Sequence, residues 1–230
     1  MKPKPLLLGH RGCRDGSLGL HKSALPVENS LASFEYAISH GCDGFEFDVR
    51  QTHDGRNVLC HDPYCNRLPI AATNYAELVD PDGNLLPTLD YVLQQFGDRA
   101  FLDIELKVRG AEKAVVAALH AVPPQRGFIV SSFLPDVLMR VCNIDSSLPL
   151  GYICERDYAL GIWRGLPIQI VLPRFDLIEK ELIEEVHRHG KKLVTWTVNS
   201  ARRMEELDAW GVDGLISDDP ALLCQTFHRE

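Results

Sequence analysis

Histidines, carboxylates and cations recur in this chain directly after apolar segments that have the length of β-strands. His10 follows the first such segment, and His61 follows a later one. Histidine titrates near neutral pH, so two histidines can supply both the base and the acid for one displacement reaction. We therefore predict that His10 and His61 form a catalytic acid–base pair.

Three acidic residues stand in strand-like segments. Glu46 and Asp48 are separated by one residue, so their side chains point to the same side of a strand, and the same spacing joins Glu105 to Lys107. A Glu-x-Asp pair alone also fits an exposed strand end, but apolar neighbours favour burial. Clustered buried carboxylates need a cation, and an oxygen-only ligand set is typical of Mg²⁺ or Ca²⁺. Glu46, Asp48 and Glu105 are therefore the predicted ligands of a divalent metal, with Mg²⁺ favoured and Ca²⁺ as the alternative.

Two cations stand beside these groups. Arg11 adjoins His10, and its guanidinium matches the paired oxygens of a phosphoryl group. Lys107 can contact the same group as a point charge. A salt bridge from Arg11 to Glu28 or Asp48 is an alternative role that can coexist with phosphate binding. The set as a whole indicates metal-assisted cleavage of a phosphodiester.

Apolar segments of strand length alternate with helical periodicity along the chain. The strand-like segments are residues 5–9, 43–50, 57–61, 101–107, 127–132, 149–153, 169–172, 192–198 and 213–217, and the helical patterns are 30–40, 88–96, 111–121, 135–141, 178–189 and 201–210. With polar groups at several strand ends, this order predicts a single α/β domain over residues 1–230, a TIM (β/α)8 barrel. An open doubly wound sheet is the less favoured alternative. The stretch 63–87 is too long for an ordinary connection and predicts a small lid-like insertion after strand 2.

Composition limits the partners and the location of the protein. The 230 residues carry a net charge of −8, so we expect no gain from counterion release on nucleic acid and no nucleic-acid partner. No run approaches about 18 apolar residues, which predicts no stable membrane insertion. The apolar stretch within residues 1–8 is too short for a signal peptide. The seven cysteines include no C-x-x-C pair, which argues against a disulfide framework and predicts a cytoplasmic protein. No oligomeric state is predicted.

Taken in order, these motifs resemble the glycerophosphodiester phosphodiesterase family. The resemblance rests on Gly9-His10-Arg11-Gly12, Pro26-Val27-Glu28-Asn29-Ser30, Glu46-Phe47-Asp48-Val49, Asp54-Gly55 and His61-Asp62-Pro63, with later blocks at 87–89, 104–107, 131–133, 195–199 and 211–214. It covers essentially the whole chain. Val27 is a one-residue departure from the family pattern, and the segment after Pro63 looks shorter than is usual in the family, which bears on substrate range.

The resemblance implies a TIM-barrel phosphoric diester hydrolase that converts glycerophosphodiesters to sn-glycerol 3-phosphate and an alcohol. It assigns the metal to Glu46, Asp48 and Glu105, acid–base catalysis to His10 and His61, substrate binding to Arg11, Lys107 and Trp196, and a supporting position to Glu28 and Asn29. Either histidine can be the base. The nucleophile is either the glycerol hydroxyl beside the ester, which gives a cyclic phosphate, or water.

Two other functions stay open at this point. The first is a phosphodiesterase of the same fold that cleaves lysophospholipids, which an apolar membrane-facing patch would favour. The second is a barrel that binds phosphodiesters or a metal without turnover, although no histidine or carboxylate of the set is missing. The loop from Cys13 to Leu25, with Arg14, His21 and Lys22, is expected to contact the distal end of the substrate.

Overall fold

Eleven strands lie within residues 4–14, 25–80 and 83–228, the ranges that the computed structural model describes. They are β1 (Leu6–Gly9), β2 (Gly44–Gln51), β3 (Asn57–Leu59), β4 (Tyr64–Cys65), β5 (Leu68–Pro69), β6 (Phe101–Leu106), β7 (Phe128–Ser132), β8 (Leu150–Cys154), β9 (Ile170–Pro173), β10 (Lys192–Thr195) and β11 (Gly214–Ser217). Eight of them, β1, β2 and β6 to β11, are parallel neighbours in one sheet, which closes because β1 pairs with both β2 and β11. The predicted TIM barrel is confirmed.

Seven α-helices of the described chain surround this barrel. They are α1 (Leu31–Ser39), α2 (Leu89–Phe96), α3 (Glu112–Ala121), α4 (Pro135–Ile144), α5 (Lys180–Arg188), α6 (Ala201–Trp210) and α7 (Pro220–Thr226). The six predicted helices are present, whereas α7 was not predicted. Between β8 and β9 the chain forms 3-10 turns at 157–159 and 162–165 in place of an α-helix. No helix in the described ranges is long and apolar enough to cross a bilayer.

The alternation of side chains along the strands separates two layers of the core. Phe45 and Phe47 of β2 point outward, where Phe34 of α1 stacks on Phe45 with ring centroids 4.1 Å apart. The alternate residues, Glu46 and Asp48, point into the barrel. A second apolar cluster fills the barrel interior: Leu8, Ile129, Ile153, Ile170, Leu172, Val194 and Ile216. The polar residues at the carboxyl ends of the strands therefore lie over a packed apolar floor.

The chain between β2 and α2 leaves the barrel and forms a small substructure. The strand-like segment 57–61 is present as β3, but it pairs antiparallel with β2 and is not one of the eight parallel strands of the barrel. The physical reason is the connection: residues 52–56 can make a hairpin but are too few for the crossover that a parallel partner requires. The insertion thus begins directly after β2, ahead of its predicted start at Pro63. Its own core consists of Val58, Cys65, Ile70, Leu78 and Leu86.

Candidate active site

The turn after β1 presents two of the predicted site residues. Arg11 has a φ of 51° and Gly12 a φ of 81°, so the chain bends through the left-handed region. Glycine is required on both sides of His10 and Arg11, because a Cβ on Gly9 would lie 2.0 Å from the Gly12 carbonyl oxygen and one on Gly12 would lie 2.5 Å from the Ser33 backbone. The Arg11 backbone N–H then donates to Glu46 Oε2 at 2.9 Å, which joins this turn to β2.

The three predicted metal ligands lie together on two neighbouring strands. In the β2–β6 register Glu46 is opposite Asp103 and Asp48 is opposite Glu105, and each strand directs these residues into the barrel. Each of the three predicted ligands offers one oxygen, and these oxygens lie within 4.8 Å of one another. All three residues are buried. The sequence therefore predicted the cluster correctly, while its role as a metal site stays a prediction.

Two cations pair with the cluster. Lys107 Nζ lies 2.8 Å from Glu105 Oε1 and 3.1 Å from Asp48 Oδ1. Arg11 Nε lies 3.2 Å from Asp48 Oδ2, and Arg11 Nη1 lies 2.7 Å from Glu28 Oε1, so both of the salt bridges considered for Arg11 are present. Two positive charges face the three carboxylates of the cluster, which leaves an excess of negative charge.

Asn29 supports the cluster from the loop before α1. Its φ is 57°, and its backbone N–H donates to the Arg11 carbonyl oxygen at 3.0 Å. Its side-chain Nδ2 donates to Asp48 Oδ2 at 2.8 Å, while its Oδ1 accepts from the Asp48 backbone N–H at 3.1 Å. One amide therefore fixes both the backbone and the carboxylate of Asp48. Glu28 and Asn29 thus both contact residues of the predicted site.

Burial makes this cluster unfavourable when it is fully ionised. It raises the pKa of Glu46 well above its usual value and that of Glu105 to about 7, with Asp48 adding to both. Burial also acts on Asp48, but Lys107, Arg11 and the Asn29 amide outweigh it and hold the pKa of that carboxyl below its usual value. Ionised oxygens at the positions of Glu46 and Glu105 therefore need an additional cation nearby.

The donor set fits a hard divalent cation. Glu46 Oε1 is buried and accepts no hydrogen bond from the residues that the structure describes, which is costly for a carboxylate oxygen unless a cation is close. The available atoms are all carboxylate oxygens, the ligands of Mg²⁺ and Ca²⁺. Glu46, Asp48 and Glu105 are the residues that could hold such an ion.

His10 is oriented by a residue that the sequence analysis missed. Its Nδ1 lies 2.6 Å from Asp218 Oδ1, and Asn199 Nδ2 donates to the other oxygen, Oδ2, at 2.7 Å. A proton held on Nδ1 by this carboxylate leaves Nε2, 3.8 Å from Glu46 Oε2, free for the substrate side. The available signal was position: Asp218 directly follows β11, as His10 directly follows β1.

His61 reaches the site from the insertion and not from a barrel strand. Its Nδ1 lies 2.8 Å from Asp62 Oδ1, and the Arg50 guanidinium donates to its backbone carbonyl oxygen at 2.6 and 2.9 Å. Burial, together with the positive charges of Arg11 and Lys107, lowers the pKa of His61. At neutral pH this imidazole is therefore mainly neutral and able to accept a proton.

A cavity of about 400 Å³ at the carboxyl ends of the strands brings the site together. Part of its lining is apolar and includes Phe133 and Trp196, whose rings are perpendicular with centroids 5.5 Å apart. Its lining includes both histidines, Arg11, Lys107, Glu46, Glu105 and Trp196. The residues that were predicted to touch the substrate therefore all line one cavity.

Asp103 is a second buried acid that the sequence analysis missed. It lines the cavity two residues before Glu105 on β6 and accepts a hydrogen bond from Ser131 Oγ at 2.5 Å. Burial raises its pKa to about 7.

The loop from Cys13 to Leu25, which was expected to contact the distal end of the substrate, is described only in part. Arg14 Nε lies 2.9 Å from Glu28 Oε2, whereas His21 and Lys22 lie outside the described residues.

A larger cavity, of about 830 Å³, opens at the opposite end of the barrel. Lys4, Asp43, Arg126, Lys192 and Asp213 are among its lining residues, and none of the predicted site residues is. In TIM barrels the chemistry occurs at the carboxyl ends of the strands. We therefore assign the candidate active site to the smaller cavity.

Comparison with known proteins identifies the class and then the family. The chain is a phosphoric diester hydrolase built on a TIM barrel. The chain belongs to the glycerophosphoryl diester phosphodiesterase family, whose model matches residues 10–222. The resemblance noted in the sequence is thereby confirmed, and the alternative of a barrel without turnover is set aside.

Individual relatives match this chain over nearly the whole length of both proteins. A glycerophosphodiester phosphodiesterase of Caldanaerobacter subterraneus subsp. tengcongensis is 30% identical, with 96% of each chain covered. The crystal structure of a glycerophosphodiester phosphodiesterase from Thermotoga maritima has a TM-score of 0.80 at 25% identity and covers 98% of this chain and 99% of that one. A phosphodiesterase of Oleispira antarctica in complex with the product sn-glycerol-3-phosphate has a TM-score of 0.80 at 24% identity, with 97% of each chain covered, and shows the shared fold.

Proposed function

We propose that this protein hydrolyses glycerophosphodiesters to sn-glycerol 3-phosphate and an alcohol, with a bound divalent metal and with His10 and His61 as the acid–base pair. The observation that carries the proposal is the single cavity in which two histidines, two cations and buried carboxylates meet. The product bound to the O. antarctica protein, which shares the fold, supports the same product for this chain.

Glu46, Asp48 and Glu105 would hold the metal. Mg²⁺ is favoured, and Ca²⁺ is the alternative, because every ligand atom is a carboxylate oxygen. Bound there, the ion would supply electrostatic stabilisation of charge on the phosphoryl oxygens. The negative excess of the cluster supports a cation at this position.

Arg11 and Lys107 would bind and orient the phosphoryl group. Both line the cavity, and both already lie against Asp48, so their side chains are held in place before substrate arrives. Burial within such pairs reduces the reorganisation that binding would otherwise require. The apolar wall at Trp196 would limit access of water from the opposite side.

The two histidines would move the protons. His10 has its Nδ1 committed to Asp218 and directs Nε2 to the cavity, and His61 has a lowered pKa that favours its neutral form. One imidazole would take the proton of the nucleophile, either the glycerol hydroxyl or water, and the other would protonate the leaving alcohol. A leaving group that needs no proton distinguishes the base from the acid, because only the loss of the base would then slow the reaction.

Hydrolysis of glycerophosphocholine, assayed in chelator and then with added Mg²⁺ or Ca²⁺, tests this function. We expect formation of sn-glycerol 3-phosphate that chelator abolishes and the divalent cation restores. Bis(p-nitrophenyl) phosphate, a small activated diester, serves as the control for general phosphodiesterase activity. Full hydrolysis of glycerophosphocholine in excess chelator would refute the metal role.

Lysophospholipids are a second candidate substrate class, which one observation favours. A groove of about 310 Å³ lies under the insertion, and His61 lines both this groove and the catalytic cavity. Val27 and Tyr64, two of its lining residues, are more than half exposed. The apolar part of the lining, which includes Val27, Leu59, Tyr64 and Leu86, would receive an acyl chain. Turnover of lysophosphatidylcholine at a rate near that of glycerophosphocholine would support this substrate, and its absence would exclude it.

A further inference from the structure

Glu155 is a carboxylate of the catalytic cavity that has no part in the proposed chemistry. Glu155 lines the cavity and directly follows β8. The other lining carboxylates, Glu46, Asp103 and Glu105, all belong to β2 and β6. In the closed ring β8 is four strands from β1 in either direction. Glu155 is therefore on the far side of the mouth from Arg11, which follows β1.

Several of the residues that line the cavity together with Glu155 are aromatic or apolar. Trp196 and Phe133 line the same cavity, with their rings perpendicular to each other. Lys107 Nζ lies 5.7 Å from the centroid of the Phe133 ring, so Phe133 marks the boundary between the cationic end of the cavity and its apolar wall. The cavity consequently has two ends of different chemistry: cations and clustered acids at one, and an aromatic wall with one carboxylate at the other.

Nearby cations do not cancel the charge of Glu155. Arg156 Nε lies 3.7 Å from Glu155 Oε1, and the two side chains are 60% and 45% exposed. Such an exposed pair is weak. Arg174 is committed to Asp176, to which its guanidinium donates two hydrogen bonds at 2.6 and 2.8 Å. Glu155 thus remains available to a cation that enters the cavity.

We propose that Glu155 and Trp196 form a subsite for a positively charged head group, such as the trimethylammonium of choline or the ammonium of ethanolamine. An aromatic face attracts a quaternary ammonium through its quadrupole, and a carboxylate adds Coulomb attraction. The substrate would then span the mouth with its phosphoryl group at Arg11 and Lys107 and its leaving alcohol at Glu155. This inference rests on the proposed function and specifies its substrate class: diesters with a cationic head are preferred over neutral ones, and neutral ones over anionic ones.

A pair of substrates that differ only in charge tests this subsite. Glycerophosphocholine is compared with the 3,3-dimethylbutyl ester of glycerol phosphate, in which a carbon atom replaces the ammonium nitrogen of choline. In wild type we expect kcat/KM to favour the choline ester. In Glu155→Gln the ratio of the two kcat/KM values should fall by about three- to tenfold, the range of one cation–aromatic or exposed cation–carboxylate contact. Tetramethylammonium should also inhibit wild type more strongly than this variant.

Asp157→Asn is the matched control. It removes the same charge two residues further on, at an exposed position outside this cavity, and should keep the wild-type ratio. A ratio that Glu155→Gln leaves unchanged, while both esters are hydrolysed, overturns the head-group subsite alone. A wild-type protein that hydrolyses neither ester overturns the proposed function and this inference with it.

Discussion

At the scale of single residues, the position of His10 depends on Asp218, a partner 208 positions away in the chain. The carboxylate accepts from Nδ1 and is itself held by Asn199, so its pKa lies below the usual value although burial acts to raise it. A carboxylate in this position orients the imidazole, selects its tautomer and stabilises its protonated form. Asp218 is therefore a positioning residue in the proposed mechanism.

Asp218→Asn should lower kcat by about 10²–10⁴-fold, because an amide can hold the ring but favours the wrong tautomer. KM should change much less, since Asp218 does not line the catalytic cavity. Asp219→Asn is the matched control: its side chain caps α7 through Leu222 N–H, and asparagine caps equally well. An Asp218→Asn protein with wild-type kcat and an unchanged pH–rate profile would contradict the positioning role.

The two histidines should each be necessary. His10→Ala and His61→Ala should each lose at least about 10²-fold in kcat, and the double variant should lose much less than the product because the groups act in one step. With a p-nitrophenolate leaving group, which needs no proton, the variant without the acid should regain far more activity than the variant without the base. Near-normal turnover of glycerophosphocholine by either single variant would refute the catalytic assignment.

At the scale of elements, the insertion after β2 is a support for His61. Its core packs Ile70 and Leu78 against Val58 of β3, the strand that leads to His61. A replacement of residues 70–84 would remove much of this core together with the part of the insertion that was predicted to act as a lid. The carboxylate cluster of Glu46, Asp48 and Glu105, by contrast, is built on β2 and β6 of the barrel itself. Damage to the insertion should therefore separate catalysis from metal binding.

Leu78→Ala leaves a cavity in this small core and should destabilise the insertion by about 2–5 kcal/mol. We expect kcat for glycerophosphocholine to fall while the rise in Tm on addition of Mg²⁺ stays close to the wild-type value. Leu68→Ala is the control, since Leu68 is 40% exposed on β5. Loss of the Mg²⁺-induced rise in Tm in Leu78→Ala would show that the insertion also supports the carboxylate cluster.

At the scale of the whole molecule, the buried acids connect stability, pH and metal. The folded pKa of Glu46 is raised, and that of Glu105 is raised to about 7, against about 4.3 in the unfolded chain. Between these values the metal-free folded protein binds more protons than the unfolded one, so the contribution of both groups to stability falls as pH rises. Asp48, with its lowered pKa, adds stability that is fully present across this window and is lost only as the pH falls below it.

A metal needs the ionised carboxylates, so its stabilising effect should increase over the same pH range. We expect the Mg²⁺-induced rise in Tm to be larger at about pH 7.5 than at about pH 5.5, by roughly 3 °C or more, which corresponds to about 1 kcal/mol. Glu46→Gln should abolish the Mg²⁺-induced rise in Tm and the metal-dependent activity. Its metal-free Tm at about pH 7.5 should exceed that of wild type.

Glu112→Gln is the control for this measurement. Glu112 is buried but lies on α3, where its Oε2 accepts from the Gly110 backbone N–H, a contact that glutamine can keep. This variant should retain both the Mg²⁺ increment and the activity. If the Mg²⁺-induced rise in the Tm of wild type were equal at both pH values, Glu46 and Glu105 would not be ligands that must lose protons to bind the metal.

The sequence by itself determined those features of the protein that are local. The period of two along β2 and β6 places Glu46 beside Asp48 and Glu105 beside Lys107, and Gly9 and Gly12 mark the turn that presents His10. Alternating strands and helices with polar residues at strand ends were sufficient for the barrel, because parallel strands bring their carboxyl ends to one face.

Only the tertiary structure decided which distant residues meet. Asp218 reaches His10 because the barrel closes between β1 and β11, and no local pattern records that closure. β3 has the composition of a barrel strand, yet its short connection to β2 forces an antiparallel hairpin that carries His61 to the site. The place of Glu155 opposite Arg11 likewise follows from the order of strands around the ring. Strand periodicity sets the direction of a side chain, whereas closure of the sheet sets its partner.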